Sequence, residues 1–149
     1  MKKFYKFLKS FLFISYASSV CLEPLSISWC CFIVNYSITI GRVKAGYSVE
    51  NMSAPRALFD ELPSFGKRAV WCHQNCWESI SLHAPACLLC LITLTDSNIS
   101  IIAAFIHPIV RFFYIGAYVF NIPLARGLMW ASGIFTTLLL YKEGLTQLI

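Results

Sequence analysis

The chain has 149 residues, of which 58% are hydrophobic and 13% are charged, and its mean hydropathy is +0.66. This composition is far more apolar than that of a soluble domain and indicates an integral membrane protein. The formal net charge is +5, but its excess comes largely from an N-terminal tail that holds Lys2, Lys3, Lys6 and Lys9. Without that tail the charge is nearly balanced, so we expect no nucleic-acid partner.

Residues 1–22 differ in character from the rest of the chain. A lysine-rich head is followed by the apolar stretch 11–16 and then by small residues, a pattern typical of a signal peptide. An uncleaved amphipathic anchor and an upstream extension of the true start are the alternatives. We treat 1–22 as a signal-like or anchor segment and 23–149 as one membrane domain.

The membrane domain is predicted to be all-α. Its apolar runs are too continuous for the alternating strands of a barrel, and helices satisfy their own backbone hydrogen bonds in lipid. We therefore predict an integral membrane four-helix bundle. The predicted spans cover about 24–41, 67–94, 98–120 and 124–141.

The connections between the spans give a topology. A polar loop of about 25 residues separates the first two spans and is long enough to be a candidate for function. Pro85 and Pro108 lie inside the second and third spans and favour bends there. Basic residues flank the first and third loops, so we expect those loops on the cytoplasmic side.

The seven cysteines lie within or beside apolar runs, which predicts small buried side chains rather than a disulfide framework. Cys87 and Cys90 have the spacing of redox and zinc sites, but no second pair at metal spacing accompanies them. His73, His83 and His107 have no spacing that joins them into a ligand set. We expect no metal site.

Polar side chains gather at the start of the second span, in the stretch 68–79. On a helix, Trp71, Asn75, Glu78 and Leu82 share one face. An amide and a carboxylate would therefore point together at a neighbouring helix.

The third and fourth spans add two cations. Arg111 is followed at helical spacing by Tyr114 and Tyr118, and Arg126 opens the fourth span. A charge inside a span costs roughly 2.5–3.5 kcal/mol on insertion scales, so such groups are usually paired or functional. An ion pair between Glu78 and Arg111 that locks two helices and a ligand site are both open.

These residues, taken in order, resemble the MAPEG superfamily, the membrane-associated proteins in eicosanoid and glutathione metabolism, and look closest to its small bacterial members. The resemblance covers roughly residues 29–141. It rests on Asn51 and Pro55-Arg56 in the loop, then Arg68-Ala69, His73-Gln74-Asn75 and Glu78, then Arg111, Tyr114 and Tyr118, then Arg126 and Trp130.

The resemblance implies a homotrimer that holds glutathione between neighbouring subunits near the cytoplasmic face. It implies that Arg126 stabilises the glutathione thiolate, since a guanidinium beside a thiol favours its ionised, nucleophilic form. Arg42 or Lys44 could pair with the carboxylates of the tripeptide. The implied contacts to the cosubstrate are Asn75, Glu78, Arg111, Tyr114 and Tyr118.

The chain differs from the family pattern at two positions. Glutathione-using members carry an arginine four residues before the asparagine, where this chain has Trp71, and often a tyrosine after the glutamate, where it has Ser79. Arg68, one turn before Trp71, is a candidate replacement for the missing cation.

We predict a membrane-bound glutathione-dependent transferase or peroxidase in the bacterial inner membrane. It would act on lipophilic electrophiles that enter from the membrane lipid. The alternative is a non-catalytic membrane protein of the same fold that uses its buried polar cluster for trimer assembly or lipid binding.

Overall fold

A computed structural model of the protein describes residues 59–149 and, before them, the positions 7, 10, 11, 13, 14, 16, 17, 32, 35, 36, 39, 40, 42–44 and 46. All of these early positions except 46 are helical. Most of the predicted first span, and most of the segment 1–22 and of the polar loop, lie outside the described residues.

Three helices are complete in the described part of the chain. They are α1 (Ser64–Ile92), α2 (Asn98–Val119) and α3 (Pro123–Thr146). No strand occurs among the described residues, which confirms the predicted all-α fold for this part of the chain. By length and hydropathy, α2 and α3 are the two helices in the described ranges that could each cross a membrane.

Both connections between these helices use a left-handed residue that closes the preceding helix. Leu94 after α1 and Asn121 after α2 have φ angles of 53° and 58°. In each case the next residue donates its N–H five residues back, from Thr95 to Cys90 and from Ile122 to Ala117, with N···O distances of 3.0 and 2.9 Å. These bonds satisfy helix-end carbonyls that would otherwise be orphaned, and they turn the chain back on itself within a few residues.

Small side chains let the helices approach closely. The buried face of α1 recurs at intervals of three or four residues and consists mainly of glycine, alanine, serine and cysteine. The four cysteines within 59–149 are all buried, and none of them forms a disulfide, which confirms for these four the prediction of small buried side chains. They are Cys72, Cys76, Cys87 and Cys90.

The core divides into two apolar clusters with a polar layer between them. One cluster surrounds Tyr114, from the first half of α1 and the second half of α2. The other surrounds Tyr16 and Leu140 at the opposite end of the bundle. The polar layer lies between the clusters along α1 and α2 and reaches α3, and it consists of Ser79, His83, His107, Arg111, Thr136 and Thr137.

Tyr16 brings the N-terminal segment into the bundle. Its side chain is buried, and its hydroxyl donates to the carbonyl oxygen of Thr95 at 3.1 Å. The same hydroxyl lies 2.6 Å from the Ser100 Oγ. The turn between α1 and α2 is therefore tied to the segment that precedes the predicted membrane domain.

Candidate functional site

A small cleft of about 80 Å³ lies beside the polar layer, between α1 and α3. Asn75, Glu78 and Arg111, all predicted site residues, line it together. The other lining residues are Ser79, Leu82, Trp130, Gly133 and Ile134. The cleft thus brings an amide, a carboxylate, a hydroxyl and a guanidinium to one place.

Helix geometry explains the contribution of α1. Asn75, Glu78, Ser79 and Leu82 are three or four residues apart and therefore share a face. Trp71 is 44% exposed and lies one turn earlier on α1. Its ring contacts that of Phe59, with 5.9 Å between the centroids, and it does not line the cleft.

Arg111 is the buried cation of the site, with 3% of its surface exposed. Its Nη2 donates to the backbone carbonyl of Asn75 at 2.9 Å and contacts the Cys76 Sγ at 3.7 Å. Within residues 59–149 no ion pair joins Arg111 to Glu78, whose side chain is exposed. Arg111 holds α1 through a backbone carbonyl, which leaves the carboxylate for another partner.

Two tyrosines, Tyr114 and Tyr118, form a row that connects the two predicted site arginines of α2 and α3. The guanidinium carbon of Arg111 lies 4.1 Å from the centroid of the Tyr114 ring. Tyr114 meets Tyr118 edge to face at 5.4 Å, and the Arg126 guanidinium carbon lies 4.8 Å from the Tyr118 ring. Each end of this tyrosine row is thus capped by a cation–π contact.

Arg126 and the cleft lie at opposite ends of this row, since Arg111 at the other end lines the cleft. Arg126 is partly buried and is absent from the residues that line the cleft. The structure therefore brings Asn75, Glu78 and Arg111 together, and it joins Tyr114, Tyr118 and Arg126 to them only through the rings.

The two remaining predicted cations lie at the same end of the bundle. Arg68 is partly buried, and its Nε has no hydrogen-bond partner among the described residues. Arg42 is helical and partly buried, and Lys44 near it lies 5.8 Å from the centroid of the Phe65 ring at the start of α1. Neither arginine lines the cleft.

The sequence reasoning missed the two buried histidines of the polar layer, His83 and His107, here called the histidine pair. Their rings stack with 3.6 Å between centroids and 6° between planes. His107 Nε2 lies 3.2 Å from the Ser79 Oγ, so the pair contacts the cleft lining directly. The available signal was on α1, where Ser79, His83 and Cys87 follow one another by four and mark a polar stripe.

Gly133 on α3 lies beside this arrangement. A Cβ at Gly133 would lie 3.6 Å from the Arg111 Cδ and 3.7 Å from the His107 Nε2. Arg111 and His107 are therefore both packed against the backbone of α3. Neither Gly133 nor Trp130 was predicted as a site residue. Both lie on an apolar helix, and nothing in the sequence distinguishes them from other residues of such a helix.

A larger groove of about 580 Å³ lies on another face, between α2 and α3. Its lining is almost entirely apolar, and no ionisable side chain contributes to it. The hydroxyls of Ser132 and Thr136 in this groove donate to carbonyls of their own helix. The polar chemistry of the described residues is therefore in the smaller cleft.

No group of three or more His, Cys, Asp or Glu side chains in the described ranges could hold a metal ion. The polar layer is instead a set of hydrogen bonds and ring contacts. The polar groups that line the cleft are an amide, a carboxylate, a hydroxyl and a guanidinium.

Two helices long and apolar enough to cross a membrane, packed with a buried arginine and two buried histidines, are consistent with a helical membrane protein that carries a polar site. The chain belongs to the MAPEG family, whose family model matches residues 26–145. This match confirms the predicted resemblance to the MAPEG superfamily. The chain has no significant match among curated proteins or among solved structures. Membership places it among membrane proteins of glutathione and eicosanoid metabolism.

Proposed function

We propose that the protein is a membrane-bound glutathione-dependent transferase or peroxidase that acts on lipophilic electrophiles. The observation that carries this proposal is the convergence of Asn75, Glu78 and Arg111 on one cleft. A tripeptide thiol offers an ammonium for Glu78, amides for Asn75 and anionic groups for Arg111, and charge-assisted hydrogen bonds of this kind are the strong ones. Members of the family commonly use glutathione.

Arg126 is the proposed catalytic residue. A guanidinium near the sulfur stabilises the thiolate, which is the nucleophilic form. The Tyr118 ring supports this guanidinium from one side, and Tyr114 and Tyr118 complete the proposed contacts. Arg42 and Arg68 supply further positive charge for the carboxylates of the tripeptide.

The size of the cleft supports a site shared between subunits. A volume of about 80 Å³ admits one functional group, whereas sites for ligands of this size measure roughly 300–1,000 Å³. Leu82 and Trp130 line the cleft and are each about half exposed, so a neighbouring subunit has apolar surface to cover. We propose a homotrimer in which Arg126 of one subunit faces the cleft of the next.

The test is thiol turnover by the purified protein with glutathione and a generic aromatic electrophile. Arg126→Ala should lower kcat/KM by about a hundredfold, as when one stabilising donor is removed from an anionic transition state. Glu78→Gln should mainly raise the KM for glutathione, by about tenfold or more. Lys142→Ala, at an exposed cation near the other end of α3, is the matched control and should behave as wild type. Undiminished activity of Arg126→Ala would exclude its assigned role.

Mixed assemblies test the shared site. Trimers of Arg126→Ala alone or of Glu78→Gln alone should have low activity. In mixed trimers, the intact Arg126 of one subunit would meet the intact Glu78 of another, so part of the activity should return. A site contained in one chain would show no recovery. Absence of glutathione binding at millimolar thiol, with the trimer intact, would favour the non-catalytic alternative.

We place the protein in the inner membrane of a bacterium, with residues 23–149 as its membrane domain. The apolar groove between α2 and α3 then faces lipid, from which a lipophilic substrate enters. Membrane fractionation of a bacterial host tests the location, and the mass of the purified chain tests whether 1–22 is removed.

A further inference from the structure

The rings of the histidine pair are held in place by several contacts, and the proposed binding of glutathione does not involve these histidines. His83 is held at both ring nitrogens, by the Thr137 Oγ1 at 3.3 Å and by the Cys87 Sγ at 3.3 Å. The neighbouring ring of His107 is nearly parallel to it. Both histidines are buried, so neither ring is held by solvent.

These contacts fix the position of one atom in the cleft lining, the Ser79 Oγ. The stack sets the plane of the His107 ring, and the ring plane sets the direction of Nε2, which lies 3.2 Å from the Ser79 Oγ. Ser79 is itself part of the cleft lining, next to Glu78 on α1 and together with Arg111 on α2. The Ser79 hydroxyl thus contacts the His107 imidazole and also lines the space that a ligand would fill.

We propose that Ser79 donates a hydrogen bond to the thiolate of the cosubstrate, and that His107, backed by His83, is a positioning residue that aims this hydroxyl into the cleft. The inference rests on the proposed function, since it assigns the sulfur of the same thiol to this cleft. It adds a sulfur contact on α1 that is separate from Arg126 on α3.

The protons balance without any bond being broken. In the tautomer with its proton on Nε2, His107 donates to the Ser79 Oγ, and the Ser79 proton then points away from the ring toward the sulfur. In the opposite tautomer, Nε2 would accept a hydrogen bond from the Ser79 hydroxyl. The Ser79 oxygen would then present only a lone pair to the thiolate. The proposal therefore requires the Nε2–H tautomer.

The test compares Ser79→Ala and His107→Phe with wild type in the full chain, with glutathione as the probe. His107→Phe keeps a ring in the stack and removes the nitrogen. Each change should shift the pH dependence of kcat/KM upward by about one unit and lower the absorbance of bound thiolate, because one donor to a charged sulfur is lost. Ser81→Ala is the matched control, since its hydroxyl donates to the Trp77 carbonyl at 2.8 Å and lies outside the cleft.

The double variant separates positioning from independent effects. If His107 acts through Ser79, the variant with both changes should shift no further than Ser79→Ala alone. Additive shifts would refute the positioning role. If His107→Phe does not fold, Ser79→Ala and its control decide the sulfur contact.

The remaining outcomes distinguish the inference from the proposed function. An active wild type with an unchanged pH profile in Ser79→Ala overturns the sulfur contact and leaves the proposed function standing. An equal shift in Ser81→Ala also overturns it, because the effect would then not depend on the cleft. A wild type that neither binds nor turns over glutathione overturns both.

Discussion

Replacing Arg111 by methionine separates a ligand-binding role from a structural one. Arg111 is buried and, within the described residues, has no acidic partner. Its Nη2 bond to the Asn75 carbonyl contributes about 1.5–3 kcal/mol, and its contact with the Tyr114 ring about 0.5–2 kcal/mol. Methionine has a similar length and no charge, so both contributions are lost with little change in packing.

This loss is offset because the variant no longer has to bury a cation. An arginine at the centre of a membrane helix costs roughly 2.5–3.5 kcal/mol on insertion scales. The Asn75 carbonyl also stays satisfied, because it belongs to the hydrogen-bond ladder of α1. Arg111→Met should therefore change the free energy of unfolding by between about 1.5 kcal/mol of stabilisation and about 2.5 kcal/mol of destabilisation.

The ligand-binding role predicts a large effect elsewhere. Glutathione affinity should fall at least about tenfold, since a charged hydrogen bond to the ligand is lost. Thermal unfolding in detergent and equilibrium binding of glutathione measure the two quantities on the same preparation. Phe112→Met, on the adjacent exposed position of α2, is the control for the new side chain. A loss of more than about 4 kcal/mol of stability, together with unchanged affinity, would refute this reasoning and make Arg111 a structural cation.

Two further predictions concern the fold. Gly144→Ala would place a Cβ 2.8 Å from the Leu89 Cγ, so it should destabilise the protein by about 1–3 kcal/mol. Gly127→Ala has nothing within 4 Å of its Cβ and should be neutral or stabilising by up to about 1 kcal/mol in the same unfolding assay. Tyr16→Phe removes two hydrogen bonds and should cost about 1–2 kcal/mol, whereas Tyr36→Phe, at an exposed ring, should cost little. Equal effects in either comparison would contradict the packing described here.

Hydropathy and helical spacing predicted the features that depend on one helix at a time. The apolar run about 98–120 corresponds to the helix Asn98–Val119, and the run about 124–141 begins one residue inside Pro123–Thr146. Helical spacing also placed Asn75 and Glu78 on one face, and Arg111 on one stripe with the tyrosines. These relations need only the pitch of a helix.

Contacts between helices needed information that spacing does not contain. Glu78 was the obvious acidic partner for Arg111, but the guanidinium reaches a backbone carbonyl of α1, an acceptor present at every residue. His83 and His107 lie on different helices, and their stacking depends on how those helices are rotated about their axes. Arg111 and His107 also both lie beside Gly133 of α3, a contact between helices that spacing along one helix does not reveal.

Membrane topology explains the cations in loops and at helix ends, but it does not explain the buried Arg111. At the end of the bundle that holds the cleft, cations outnumber carboxylates, and this excess alone would satisfy the preference of basic residues for the cytoplasmic side. That preference needs cations only in loops and at helix ends. Arg111 is buried within α2, in contact with a cleft and a tyrosine ring, where it does nothing for topology and costs insertion energy. We propose that a buried cation at this position serves an anionic group of the ligand, so Arg111 supports thiol binding more strongly than the net charge does.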